Sequence, residues 1–389
     1  MASKTALVLG AGVGGLSVAA QLRELLPDSH RVVLVDRSFE GVQGLSLLWV
    51  MRGWRRIDKV TLTPSGLDKR GIDVVEAEVN SISPGEANVG TSAGTIEFDA
   101  LVLALGASLD SELLPGLPES LAKGSAGEFY TPDGAVGLHD KLSQLEGGRV
   151  CVLISKLPFK CPAAPYEGAL LIADMLSERG VRDEVQLEVI TPEPHPMPVA
   201  GPAVGQALAG ILEEKGIGYR PNTPVERVDA GTDDVVLQSG ERVPFDLLVS
   251  IPPHSAPRAV AEAGLGPQGW VPVDARTLRS SAPRVWAIGD AASITLPNGK
   301  PLPKAAVFAR GEAAAVAAGV AREFGADAPE PWFDGEGYCY VEVGDGLAAK
   351  GAGNFLEAPA PSVQLAEPSK RFHKEKEKEE RDWIAAWRN

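Results

Sequence analysis

Basic residues are scarce in this chain. Its 389 residues hold 37 lysines and arginines against 52 acids, a net charge of −15 at pH 7. Nucleic acid demands a basic patch, so it is excluded as a partner, and no general pull toward anionic lipid is expected. Only three cysteines occur. That is too few for a disulfide scaffold, and in a cytosolic chain they stay reduced unless they do redox work. Neither CxxC nor CxxCH is found, which removes a zinc knuckle and a c-type haem site, and no metal is expected. Apolar runs of about 18 residues are missing, which removes a membrane-spanning helix. The first strand pattern starts at Thr5, which leaves no room for a signal peptide and sets a cytoplasmic expectation.

What remains is a globular composition, 44% hydrophobic and 23% charged, in a length that suits two or three domains. The 43 glycines and 31 prolines point to many tight turns rather than long bundles.

"TALVLGAGVGGLSVAAQLRELLPD" (5–28) opens the chain with a buried strand pattern, a G-x-G-x-x-G at Gly10, Gly12 and Gly15, and a helix halted by Pro27. A second strand, "RVVLVD", ends on Asp36, with Arg37 after it. Gly10 permits the tight turn, Gly12 lets backbone approach a pyrophosphate, and Gly15 allows close helix–strand packing. The unpaired amides of the helix start then face phosphate, and Asp36 can accept from a ribose hydroxyl. Strand, loop, helix, strand and acid in register predict a dinucleotide site.

Two later segments identify the dinucleotide by resemblance. "FDALVLALGAS" (98–108) ends its strand at Gly106, and "TLRSSAPRVWAIGDAAS" (277–293) ends on Gly289-Asp290. With the opening motif they resemble the FAD domain of the two-dinucleotide-binding flavoproteins. The resemblance implies FAD, with Asp290 on the ribityl chain. It also aims the N-terminus of the following helix pattern at the flavin ring, where a positive helix end favours the reduced anion.

A second β-α-β-α-β pattern covers 149–253. Its first turn should carry another glycine-rich loop in an NADH-using relative. Instead it reads "KLPFKCPAAPYEGA" (156–169), with no glycine before Gly168. Prolines remove amide donors there, and no acid ends the next strand. The NAD(P)H site is read as lost. Cys161 lies in this loop, and Cys339 lies in a glycine-rich, strand-like stretch, "DGEGYCYVEVGDGLAAKGAGNF" (334–355). Both are read as loop-rich contexts beside aromatics. The residues alone leave open whether these two form a redox pair or are ordinary thiols. Cys151, mid-strand between valines, reads as a small buried hydrophobe.

The cysteine-proline loop ending in Tyr166-Glu167, together with 334–355, resembles the sulfide:quinone oxidoreductases and the flavin subunit of flavocytochrome c sulfide dehydrogenase. That resemblance implies a redox-active Cys161–Cys339 disulfide near the flavin, sulfide or a persulfide as substrate, and quinone or a separate cytochrome as acceptor. Sulfide would attack the disulfide, displacing a thiolate, and two electrons would pass to FAD. Many quinone-linked members carry a third cysteine in the region matching 124–130, where this chain has none. The flavocytochrome members attach FAD through a cysteine near the position of Val42; none stands here, so FAD is expected to be noncovalent.

Glu167 reads either as a local acid/base or as an ordinary first-turn helix acid. Lys304 reads as a cation near reduced flavin or as a surface lysine, and His195 and His254 read as loop residues. The tail "PSKRFHKEKEKEERDWIAAWRN" (368–389) predicts a charged helix with a Glu377–Arg381 pair. Trp383, Ile384 and Trp387 share one face, which docks on the protein body or, as the weaker reading, touches a membrane at the inner face. We read the chain as α/β: two Rossmann-like dinucleotide-binding domains plus a C-terminal interface region. The FAD domain is discontinuous (1–110 and 256–325), the NAD-like domain (111–255) is degenerate, and the C-terminal region is 326–389. A type II NADH:quinone oxidoreductase and a non-catalytic flavin sensor or electron-transfer partner are the alternatives.

Overall fold

The structure, a computed structural model, describes residues 2–388. The first apolar segments assemble as five parallel strands in the order Val285–Ala287, Ala100–Leu103, Thr5–Leu9, Arg31–Asp36, Ile72–Glu76. Strands such as Thr5–Leu9 and Ala100–Leu103 are buried along nearly their whole length, as a sheet covered on both faces requires. The helix Val13–Leu25 covers one face beside the helix Ala306–Glu323. Small residues allow that approach: a Cβ on Gly14 would stand 2.8 Å from Ile288 Cδ1 and 3.5 Å from Ala309 Cβ.

A second parallel sheet runs Ala126–Gly127, Leu247–Ile251, Gly148–Ile154, Val185–Ile190, Gly218–Arg220. The α/β architecture with two parallel sheets therefore stands as expected. The helix after the thiol loop spans Ala164–Glu178, with Pro165 tolerated in a first turn whose amides need no partner. That places Glu167 inside the helix, close behind Cys161.

The C-terminal part forms a three-stranded antiparallel sheet, Glu336–Gly344, Leu347–Asn354 and Ser362–Ser369, followed by the helix Lys370–Trp387. Cys339 thus sits mid-strand, opposite Gly351, and not in a loop. Glycines are frequent there because side chains press on the backbone: a Cβ on Gly337 would meet Phe308 at 2.2 Å. The strand Glu336–Gly344 packs on the helix Ala164–Glu178. Val341 and Val343 join the core of the second sheet, and Cys161 and Cys339 both pack at its margin.

Candidate active site

The glycine loop has the shape that its spacing demands. Gly10 has φ +102°, and a Cβ there would stand 2.3 Å from Ala104 O. A Cβ on Gly15 would lie 1.7 Å from Gly10 O, whereas one on Gly12 would meet no described atom within 4 Å. The helix Val13–Leu25 starts from Gly12 with no side-chain cap, so its first amides stay available to an anion. Asp36 is turned inward: Oδ2 accepts from the Ala11 amide at 2.5 Å and Oδ1 from Ser38 N at 3.1 Å. Its carboxylate braces the loop in this structure, while Arg37 is exposed. Gly106 and Gly289 take φ +70° and +62°.

Asp290 follows Gly289. Burial pushes its carboxyl upward, and Lys160 and Lys304 pull it back. Nearby, His254 is buried with Nδ1 on Pro252 O at 2.7 Å, and it stacks edge-on against Tyr130 at 5.2 Å. Burial lowers this imidazole to about 4, with Lys160 adding to the effect, so it is neutral at pH 7. Its Nε2, the Tyr130 hydroxyl and Ser155 Oγ are buried with no hydrogen-bond partner among the described residues. Buried polar atoms of this kind are ordinarily satisfied. An uncapped helix start, room above Gly12 and orphaned polar groups near Asp290 fit a bound dinucleotide.

Lys304 is no surface residue. It is 9% exposed, lies 3.7 Å from the Trp270 ring centre and donates to Asp290 O at 2.5 Å and Ala292 O at 3.2 Å. Burial lowers its ammonium to about 8, against the pull of Asp290 and Glu312. Glu312 gave no signal in the sequence, being one acid in an alanine-rich helix. It is buried, accepts the Gly289 amide at 2.6 Å, and burial raises it to about 7.

The thiol loop leans on this cofactor unit. Lys160 bridges Lys304 in parallel fashion, and the Cys161 amide donates to Lys304 O at 2.6 Å. Cys161 takes φ +59°, a left-handed conformation that costs a non-glycine residue of order 1–3 kcal/mol. It is held there because its carbonyl also accepts Ala164 N at 2.9 Å. Cys161 and Cys339 line one cavity of about 610 Å³ with Phe159, Trp270, Phe308 and Phe355. Both stand as free thiols. Burial raises Cys161 to about 11 and Cys339 to about 12, and the charge of Cys161 adds to the second. Cys151 is buried in the strand Gly148–Ile154 and its thiol is pushed far up by burial, which leaves it inert.

Two further carboxyls belong to this region. Glu193 lines the cavity and accepts the Tyr166 hydroxyl at 2.5 Å; burial raises it to about 7. It stands beyond the end of the strand Val185–Ile190, facing inward. Glu167 is buried and raised by burial to about 7, with Lys376 opposing and Glu342 reinforcing the shift. Its partner is Lys376 of the terminal helix, whose Nζ donates to Glu167 Oε1. Lys376 carried no signal at the level of sequence, because it stands in a run of alternating charges.

That helix answers one expectation and corrects another. Trp387 is 5% exposed and sits in the core beneath the first sheet, so the last turn docks on the protein body. Glu377 turns to Arg55 at 3.3 Å rather than to Arg381. No helix among the described residues is long and apolar enough to cross a membrane. His195 closes on its own loop, Nδ1 lying 3.1 Å from Pro196 O.

Known proteins resemble this chain in sequence and in fold. The sulfide-quinone reductase of Aquifex aeolicus (strain VF5) is 29% identical over 272 residues, 67% of this chain and 61% of that protein. The mitochondrial sulfide:quinone oxidoreductase of Mus musculus is 25% identical over 302 residues, 74% of this chain and 65% of that protein. The chain thus matches less than two thirds of the length of these relatives. The solved structure of the Aquifex aeolicus sulfide:quinone oxidoreductase superposes with a TM-score of 0.86 at 24% identity, over 100% of this chain and 92% of that one, a likeness of fold. The profile of the pyridine nucleotide-disulphide oxidoreductases matches residues 4–153 and 168–313. Its interruption falls on the loop that carries Cys161 and Glu167, while both parallel sheets lie largely within the matched segments. On this match, the chain belongs to the pyridine nucleotide-disulphide oxidoreductase family.

Proposed function

We propose that the protein is a flavoenzyme that oxidises sulfide, or a related persulfide, through the Cys161/Cys339 pair and passes electrons to quinone. One observation carries this: the two thiols line the same cavity, and the Cys161 amide is tied to Lys304 O of the cofactor unit at 2.6 Å. In this reading residues 1–110 and 256–325 hold FAD noncovalently, 111–255 present the thiol loop, and 326–389 close the cavity. Gly10, Gly12 and Gly15 would receive the pyrophosphate, with Asp36, Arg37, Gly106, Gly289, Asp290 and Lys304 along the remainder of the cofactor. FAD, when bound, supplies the two-electron acceptor.

The chain's own groups do the sulfur chemistry. HS⁻ attacks one sulfur of the oxidised pair, the S–S bond breaks, and the attacked cysteine becomes a persulfide while the other leaves as a thiolate. Glu167, raised to about 7, takes the proton that H₂S sheds. The aromatic lining of the cavity, Phe159, Trp270, Phe308 and Phe355, suits a flat apolar acceptor. The relatives named above are called sulfide-quinone reductase and sulfide:quinone oxidoreductase, which supports the same substrates here.

The test is an anaerobic titration of the flavin-loaded protein with sulfide and with NADH, added separately. Sulfide alone should bleach the flavin absorbance. Cys161→Ser should retain FAD and lose fast bleaching by at least about 100-fold, the scale of losing a covalent catalytic group. Bleaching by NADH, or an undiminished rate in Cys161→Ser, overturns the proposal.

A further inference from the structure

The terminal helix carries its charges in two populations. Lys374 and Lys378 are exposed, whereas Lys376, between them, is 3% exposed. Desolvating an ammonium costs several kcal/mol unless a partner offsets it. Lys376 has such a partner in Glu167, and its Nζ lies 5.0 Å from the Trp49 ring centre. Glu167 belongs to the helix that begins directly behind Cys161, and the strand Glu336–Gly344 that packs on this helix carries Cys339. The ammonium therefore arrives where the helix that follows Cys161 meets the strand that carries Cys339, from a third element with no cysteine of its own.

We propose that Lys376 is a positioning residue for the thiol chemistry: the docked helix holds a buried cation beside Glu167 so that a thiolate formed at Cys161 or Cys339 faces a positive charge. As applied to turnover this rests on the sulfide reading. There the balance is closed by groups already present. H₂S gives its proton to Glu167, HS⁻ opens the disulfide, and the negative charge given up by Glu167 ends on the displaced thiolate. Protonation of Glu167 at that moment leaves Lys376 as the uncompensated charge of the buried pair, opposite the new anion. Lys376 lowers both thiols, while Glu167 raises them. Other ionisable groups around the thiols and the Glu167–Lys376 pair include Tyr130, Lys160, Glu193, Lys300, Lys304 and Tyr338 on the cavity side, Arg55 across the Trp49 ring, and Glu342 with His373 behind Glu167, His373 Nδ1 lying 2.9 Å from Glu342 Oε2.

Because Glu167 and Lys376 oppose each other, the experiment works in a Glu167→Gln background. The flavin-loaded protein is reduced, and alkylation of Cys161 and Cys339 by iodoacetamide is followed against pH by mass spectrometry, with buried Cys151 as the internal reference. Glu167→Gln should move thiolate formation to lower pH than in the wild type. Adding Lys376→Met should move it back up by about one pH unit or more, a tenfold change in thiolate population at fixed pH. Adding Lys376→Arg instead should keep most of the low-pH profile. A purely structural lysine would shift the melting temperature but leave the profiles superposed, and superposed profiles overturn the proposal. Should the Met variant not fold, the comparison is made between Lys376→Arg and Lys376→Gln, with the same criterion. Sulfide bleaching of the wild type is read in parallel. Separated profiles without bleaching sink the sulfide reading and leave the role of Lys376 intact, and bleaching with coincident profiles does the reverse.

Discussion

Gly12 and Gly15 belong to one motif, yet the structure gives them different duties. At Gly15 a side chain would strike Gly10 O, while at Gly12 it would enter open space. Gly15→Ala should therefore damage the fold. Gly12→Ala should fold with a melting temperature within about 2 °C of wild type in the flavin-free state, the size of a small surface effect, but purify without yellow colour; flavin content per chain checks both. The glycine motif was legible in the sequence because positive φ and close approach admit little else. Cys161 was legible as well, since a thiol among prolines has no place in a phosphate cradle. Cys339 was read within a strand-like stretch and does lie in a strand, although the flanking glycines blurred the alternation of "YCYVEV" into a loop-rich context. Lys304 and Glu312 could not be told from surface residues, because their burial comes from segments distant in sequence.

The terminal helix shows why hydrophobic periodicity failed at the scale of an element. Its inward side runs His373, Lys376, Glu380, Trp383, Trp387, the three-four spacing of a core-facing stripe. Three of those five positions are ionisable, so a hydropathy pattern sees only its last turn. Each inward ionisable side chain has found a counterpart: His373 meets Glu342, Lys376 meets Glu167, and Glu380 accepts from Ser46 Oγ at 2.6 Å and Arg55 Nε at 2.8 Å. The apolar end fastens the helix, with the Ser65 amide on Trp387 O at 2.9 Å and the Arg70 guanidinium 4.9 Å from the indole centre. Trp387→Ala should destabilise by about 3–5 kcal/mol, as for a buried Trp elsewhere. Trp383→Ala, half-buried, should cost clearly less. Denaturant unfolding separates the two, and equal losses would mean that the docking is not centred on Trp387.

Over the whole molecule, three buried carboxyls, Glu167, Glu193 and Glu312, are each raised to about 7. A carboxyl raised on folding holds its proton more tightly in the native state. Its contribution to stability is complete below about pH 4.5 and is lost as pH climbs through about 7. The melting temperature should thus fall between about pH 5 and pH 8, and Glu312→Gln, which keeps an acceptor for the Gly289 amide, should flatten part of that slope. An unchanged slope would mean that Glu312 is ionised in the native protein. The two parallel sheets were readable because fully buried strands are continuous apolar runs. Two contacts between remote segments were not: the Lys160–Lys304 bridge and the Lys376–Glu167 pair are single polar contacts with no local pattern. That last contact spans 209 positions of the chain, and it has a consequence for biosynthesis. Domains form in order of emergence from the ribosome, so the thiol loop and Glu167 can be folded while Lys376 is still untranslated. During that interval the nascent chain would own both parallel sheets and a thiol site that still lacks its buried cation.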